Sequence, residues 1–239
     1  MAIRLPTEND RLVIIGRTGG GKTLAGLWHL SMQPLDEFTW VVLDFKGDKN
    51  LAQIPYAQRW TRFDEIPETG GGLYIVSPTT ADLKHGALDD FLRLIWERGE
   101  TGIYADEGVQ LKNSDAFADI QMQGRSKLIP TITCTQLPVY LPRPVFTEAN
   151  YIQLFYVLDK RYRKIIEEFT PVEAEDLERL NRYWSYYYDV IDNTVTLLKP
   201  GPTMDYLIPR FAELLAPPDD INESQPKIHP TPTYQRNPI

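Results

Sequence analysis

The amino-acid sequence predicts an α/β protein built on a mostly parallel β-sheet with helices on both faces. Short runs of β-branched and apolar residues alternate with helical stretches along most of the chain, a pattern typical of strands joined by crossover helices. A glycine-rich loop directly follows the first of these runs, and an antiparallel hairpin is predicted near the C-terminal end. The 239 residues suffice for one domain with a core of its own.

Each predicted element depends on its own residue pattern. Buried strands are expected over 11–15, 38–43, 73–76, 102–105, 129–135 and 150–158, and helices over 23–32, 87–96, 115–124 and 159–169. The segments 183–190 and 194–198 predict the hairpin. Residues 1–216 would form the folded domain. The segment 217–239, with six prolines and few large apolar side chains, would be a disordered or extended arm.

Composition excludes several classes of protein. The single cysteine, Cys134, leaves no internal disulfide framework, and the Cys and His spacing fits no zinc site. We find no secretory signal and no stretch near the roughly 18 apolar residues of a membrane span, so we expect a cytoplasmic protein without a transmembrane segment. The net charge of −8 argues against a protein that coats nucleic acid with its whole surface, but a local basic channel stays open.

The strongest motif follows the first strand and matches the pattern G-x-x-x-x-G-K-[ST]. Its glycines would let backbone N–H groups converge on phosphates, and the helix that follows would add the partial charge of its N-terminus. Lys22 is expected to bridge the β- and γ-phosphates, and Thr23 to hold Mg²⁺. An Asn-Lys-x-Asp element for guanine is absent from the sequence, so ATP is the expected nucleotide. The motif consists of Gly16, Arg17, Thr18, Gly19, Gly20, Gly21, Lys22 and Thr23.

Polar side chains follow two later strands. Asp106 is expected in the Mg²⁺ shell, and Glu107 as the general base that polarises the attacking water. Gln136 follows the next strand, where its amide would read the γ-phosphate or orient water; the alternative is a capping amide in a loop. The sequence therefore predicts an ATP hydrolysis site at the carboxyl ends of the strands.

Taken in order over residues 11–140, these motifs resemble those of the FtsK/HerA superfamily of DNA-pumping ATPases. The glycine loop is similar to G-x-T-G-x-G-K-[ST], and 103–107 is similar to the Walker B strand. The segment 41–47 resembles the Asp-Pro-Lys-Gly strand end, with Phe45 in place of proline. The runs 124–127 and 132–138 resemble the Gly-Arg-Lys and Thr-Gln-Arg-Pro block, with Leu137 in place of arginine. The resemblance implies a RecA-like fold with an additional strand between the Walker A and Walker B strands.

Because the chain is little more than a motor core, it resembles the small genome-packaging ATPases of icosahedral viruses with an internal membrane. This resemblance implies a homo-oligomeric ring that pushes double-stranded DNA into a preformed capsid. A capsid vertex or its membrane proteins would be partners, and the protein would act in the host cytoplasm or on the virion. Arg125 would be the arginine that completes the neighbouring subunit's site, with Arg98 as the second candidate; the alternative is a surface arginine.

Two other functions stay open on the sequence. One is a nucleotide or metabolite kinase, for which 159–164 would be the closing lid; the other is a non-motor, nucleotide-dependent assembly switch. Glu107 argues against both, because it suits activation of water. The basic residues Lys160, Arg161, Arg163 and Lys164 are interpreted either as a solvated helix surface or as a DNA contact.

Overall fold

A nine-stranded sheet runs through the computed structural model, which describes residues 3–63, 66–84 and 86–217. The strand order is β3-β4-β2-β5-β6-β1-β7-β8-β9. Seven neighbouring strands, from β3 to β7 in that order, are parallel, and β8 and β9 are antiparallel. The predicted mostly parallel sheet is therefore confirmed. The strands are β1 (Arg11–Ile15), β2 (Thr39–Leu43), β3 (Gln58–Trp60), β4 (Leu73–Val76), β5 (Thr101–Ala105), β6 (Thr131–Thr135), β7 (Tyr151–Phe155), β8 (Ser185–Asp189) and β9 (Thr194–Leu198).

Helices cover both faces of this sheet, as predicted. Apolar side chains of α1 and α8 fill the core on one face, and those of α3 to α7 fill the core on the other. None of the helices in the described part of the chain is long and apolar enough to cross a membrane. The helices are α1 (Lys22–Leu30), α2 (Thr80–Lys84), α3 (Ala87–Arg98), α4 (Asp115–Gln123), α5 (Pro144–Thr147), α6 (Lys160–Glu167), α7 (Ala174–Arg179) and α8 (Met204–Leu215).

The central strands are buried on both faces, which explains their continuous apolar sequences. In β1, Leu12 and Ile14 point into the core beneath α1, whereas Val13 and Ile15 point into the opposite core. The two cores thus receive alternate side chains of the same strand, as the period of two in a β-strand requires.

Two elements differ from the sequence pattern. Strand β3 has three residues at the sheet edge, two of them exposed, so it carries no periodic apolar signal. Helix α8 contains Pro209, a residue that usually breaks a helix interior, yet Leu207 and Phe211 are fully buried beneath it. The arm predicted over 217–239 lies outside the described residues, apart from Pro217.

The strand order sets the position of the candidate site. β6 lies between β1 and β5, which confirms the additional strand between the Walker A and Walker B strands. Because the parallel strands end at one edge of the sheet, the segments that follow β1, β2, β5 and β6 meet there.

Candidate nucleotide site

The glycine-rich loop is anchored to both neighbouring strands. The N–H of Gly16 donates to the Thr135 carbonyl at 3.2 Å, and the N–H of Arg17 donates to the Tyr156 carbonyl at 3.1 Å. Gly21 has φ +106° immediately before α1, a conformation that favours glycine over residues with a side chain. A Cβ atom on Gly16 would lie 2.6 Å from that of Phe155. The curl of this loop therefore depends on glycine at these two positions.

Lys22 is the first residue of α1 and folds back over the loop. Its Nζ donates to the Arg17 carbonyl at 3.0 Å, and the side chain is largely buried. Burial lowers the pKa of Lys22, and the nearby charge of Lys46 lowers it further. The ammonium group and the N-terminus of α1 together place positive charge inside the loop.

Asp106 lies opposite the loop and is tied to it by a hydrogen bond. The Thr23 hydroxyl donates to Asp106 Oδ1 at 3.0 Å, and the Tyr104 hydroxyl donates to the same oxygen at 3.1 Å. Burial raises the pKa of Asp106 to about 6 despite these hydrogen bonds. A hydroxyl and one carboxylate fit Mg²⁺, which takes the remainder of its shell from water and substrate phosphates.

Glu107 is 2% exposed and lies beside Asp106. Its carboxylate forms an ion pair with Lys46, from the loop after β2. Among the described residues, Glu107 Oε1 has no hydrogen-bond partner. The sequence analysis assigned no role to Lys46. The only signal for it was that Lys46 is the lysine of the segment that resembles the Asp-Pro-Lys-Gly strand end.

Gln136 contacts the glycine loop directly. It is half-buried after β6, and its side-chain oxygen accepts a hydrogen bond from the Thr18 hydroxyl. The structure therefore brings the glycine loop with Lys22 and Thr23, the Asp106–Glu107 pair and Gln136 to one edge of the sheet.

A cavity of about 290 Å³ lies on the side of the loop away from β5. Sequence reasoning missed it, because its walls come from four segments that only the folded sheet brings together. It is continuous with the loop at Gly21, and its lining is mainly apolar. The lining includes Leu24 and Ala25 of α1, Phe155 of β7, Tyr183 before β8 and the segment 199–203.

Arg125 lies away from these residues. It is exposed in a 3₁₀ turn (Gly124–Lys127) that precedes β6, hence at the opposite edge of the sheet from the glycine loop. Arg98 is held by its surroundings, since it donates to the Pro67 carbonyl and to Thr101 Oγ1. The structure of this chain thus brings neither arginine to the site.

The basic run of α6 separates into two kinds of residue. Arg163 is buried and donates to the carbonyls of Val157 and Leu158 at 3.0 and 2.8 Å, and to Glu178 at 2.9 Å. Lys160, Arg161 and Lys164 are exposed. Arg163 therefore supports the fold, whereas the other three form a solvent-facing surface.

The chain shares sequence and fold with known proteins. No protein-family model matches it. Over 220 residues it is 36% identical to the DNA packaging ATPase P9 of Enterobacteria phage PRD1, which covers 88% of this chain and 96% of P9. The predicted resemblance to viral genome-packaging ATPases is confirmed by this relative.

Two solved structures share the fold. The genome packaging NTPase B204 of Sulfolobus turreted icosahedral virus 2, in complex with AMPPCP, has a TM-score of 0.64 and 20% identity, over 82% of this chain and 100% of that one. ATPases 2 and 3 of EccC from Thermomonospora curvata have a TM-score of 0.56 and 12% identity, over 87% of this chain and 41% of that one. At these identities, the likeness is one of fold.

Proposed function

This chain belongs to the family of viral DNA-packaging ATPases, and we propose that it hydrolyses ATP to drive double-stranded DNA into a preformed capsid. One observation carries the proposal. A glycine loop, the Thr23–Asp106 pair and buried Glu107 share one sheet edge in a chain 36% identical to a DNA packaging ATPase over most of its length.

The triphosphate of ATP would occupy the glycine loop. Lys22 would exchange the Arg17 carbonyl for the β- and γ-phosphates, because an ammonium group interacts more strongly with a phosphate than with a neutral carbonyl. Thr23 and Asp106 would hold Mg²⁺, which neutralises charge on the phosphates when bound. The apolar cavity would take the adenine base, since it opens from Gly21 and has an aromatic wall at Tyr183.

Hydrolysis would proceed by in-line attack of water on the γ-phosphorus. The new P–O bond forms as the bond to the ADP oxygen breaks, and the proton of the water passes to the Glu107 carboxylate. Gln136, already in contact with Thr18, would orient the water or the γ-phosphate. Positioning and charge stabilisation account for most catalysis in this class of reaction.

The working assembly would be a homo-oligomeric ring around double-stranded DNA, with residues 1–216 as the motor domain and 217–239 as an arm. Arg125 would reach the site of a neighbouring subunit, which is consistent with its exposure and its distance from its own loop. The ring would act in the host cytoplasm and dock on a capsid vertex or on its membrane proteins.

The test is ATP turnover with and without double-stranded DNA. We expect DNA to stimulate the wild-type protein, Lys22→Ala to lose turnover, and Glu107→Gln to bind ATP while hydrolysing it about 10²–10⁴ times more slowly. Phosphate transfer to a metabolite in place of water would favour a kinase instead. Wild-type turnover in Glu107→Gln would remove Glu107 from the mechanism.

A further inference from the structure

The loop after β2 is built to aim one lysine at the end of β5. β2 and β5 are parallel neighbours, with Leu43 beside Ala105. The buried Asp44 carboxylate accepts hydrogen bonds from the N–H groups of Lys46 and Asp48 at 3.3 and 3.0 Å. This side chain fixes the backbone of the loop and directs Lys46 across to Glu107.

The resulting ion pair is asymmetric. The Glu107 side chain is 3% exposed, whereas that of Lys46 is 45% exposed. A buried carboxylate is costly unless it is paired, and Glu107 Oε1 has no hydrogen-bond partner among the described residues. Lys46 therefore stabilises the charge of Glu107, while its own side chain stays nearly half exposed to solvent.

Lys46 also belongs electrostatically to the phosphate site. Its charge contributes to lowering the pKa of Lys22, after burial. The pKa of buried Cys134, on the strand between the two Walker strands, is raised to about 12 by burial, and Lys46 opposes that rise. Lys22 on the glycine loop and Lys46 at Glu107 thus both place positive charge at this edge of the sheet, an arrangement that favours a ligand with several negative charges.

We propose that Lys46 is a second phosphate-binding lysine, which pairs with Glu107 as in this structure and moves to the γ-phosphate when ATP binds. A lysine can make this move, because its ammonium is a compact charge on a flexible stem. Its departure leaves Glu107 free to accept the proton of the attacking water. With ADP bound, the γ-phosphate is absent, so Lys46 stays on Glu107. The inference rests on the proposed function. In it, Lys46 distinguishes ATP from ADP by the presence of the γ-phosphate.

The first experiment compares affinities for ATPγS and ADP, measured by calorimetry. A charged hydrogen bond of this kind corresponds to about a 10- to 100-fold change in affinity. We therefore expect Lys46→Met to lower the affinity for ATPγS by that factor and to change the affinity for ADP by less than about twofold. Lys46→Arg should restore part of the affinity for ATPγS. Lys49→Ala, which removes an exposed charge from the same loop, should change neither affinity.

A second pair of variants separates phosphate binding from simple pairing with Glu107, and it also applies if Lys46→Met alone folds poorly. In the Glu107→Gln background the ion pair is already gone. If Lys46 binds the γ-phosphate, adding Lys46→Met should still lower the preference for ATPγS over ADP. If Lys46 only balances the charge of Glu107, the double variant will match Glu107→Gln, and that result overturns the inference. Failure of the wild-type protein to bind ATPγS would instead overturn the proposed function.

Discussion

The variant His29→Gln should flatten the pH dependence of stability. His29 lies fully buried in α1, with Nε2 2.9 Å from Gln153 Oε1, and Gln153 in turn donates to the Ser185 hydroxyl at 2.9 Å. Its ring stacks on Tyr187 at a centroid distance of 5.8 Å. Burial lowers the pKa of His29 to about 4. Glutamine is neutral throughout this pH range and offers the same hydrogen bond to Gln153.

The sign follows from proton binding. Between the folded pKa of about 4 and the unfolded pKa of about 6.5, the unfolded chain binds a proton on His29 that the folded protein does not. Stability is therefore lost as the pH falls from 7 towards 4. Between pH 7 and pH 5, these two pKa values correspond to a loss of about 2 kcal/mol from this one group.

The assay is urea unfolding of both proteins at pH 7 and pH 5. Asp106 contributes a slope of opposite sign, because burial raises its pKa to about 6, but this contribution is common to both proteins and cancels in the comparison. We expect the wild-type protein to lose about 2 kcal/mol more than His29→Gln over the interval. Equal losses in the two proteins would refute the account of His29 as a buried neutral group.

Three further predictions concern the nucleotide site and the assembly. Tyr183→Ala should weaken ATP binding about tenfold by removing the aromatic wall of the cavity, within the range of stacking on a base. The affinity for tripolyphosphate should stay unchanged. If calorimetry shows an equal loss of affinity for both ligands, the adenine base does not bind in this cavity. Truncation after Ala216 should leave the melting temperature of the monomer within a few degrees of that of the full chain. A much lower melting temperature in scanning calorimetry would show that the segment 217–239 packs against the core. Mixing Arg125→Ala with Lys22→Ala should restore ATP turnover that neither variant has, because each supplies what the other lacks across a subunit interface. Normal turnover by Arg125→Ala alone would exclude this residue as the arginine in trans.

The sequence predicts the parts of the site that depend on local pattern. A buried strand followed by a glycine loop and a helix predicts the candidate phosphate site, and a second buried strand predicts Asp106 and Glu107 as its carboxylates. Each motif lies within a few residues of the end of its own strand. The parallel sheet then brings these strand ends together at one edge.

The remaining features depend on contacts between distant segments. The cavity forms because β8 pairs with β7 and carries Tyr183 to Gly21, a pairing that no local pattern specifies. The Lys46–Glu107 ion pair depends on the register between β2 and β5. Helix α8 is not evident from the sequence, because Pro209 has a very low helix propensity. The burial of Leu207 and Phe211 stabilises the helix despite this proline.

Movement of DNA by ATP hydrolysis is the central claim, and displacement of a triplex-forming strand from double-stranded DNA measures it most directly. A protein that translocates along the duplex strips off the third strand in its path. We predict displacement by the wild-type protein with ATP, and none with ATPγS or in Glu107→Gln. Wild-type protein that hydrolyses ATP in the presence of the same DNA but leaves the third strand in place would contradict the claim that this chain is a DNA motor.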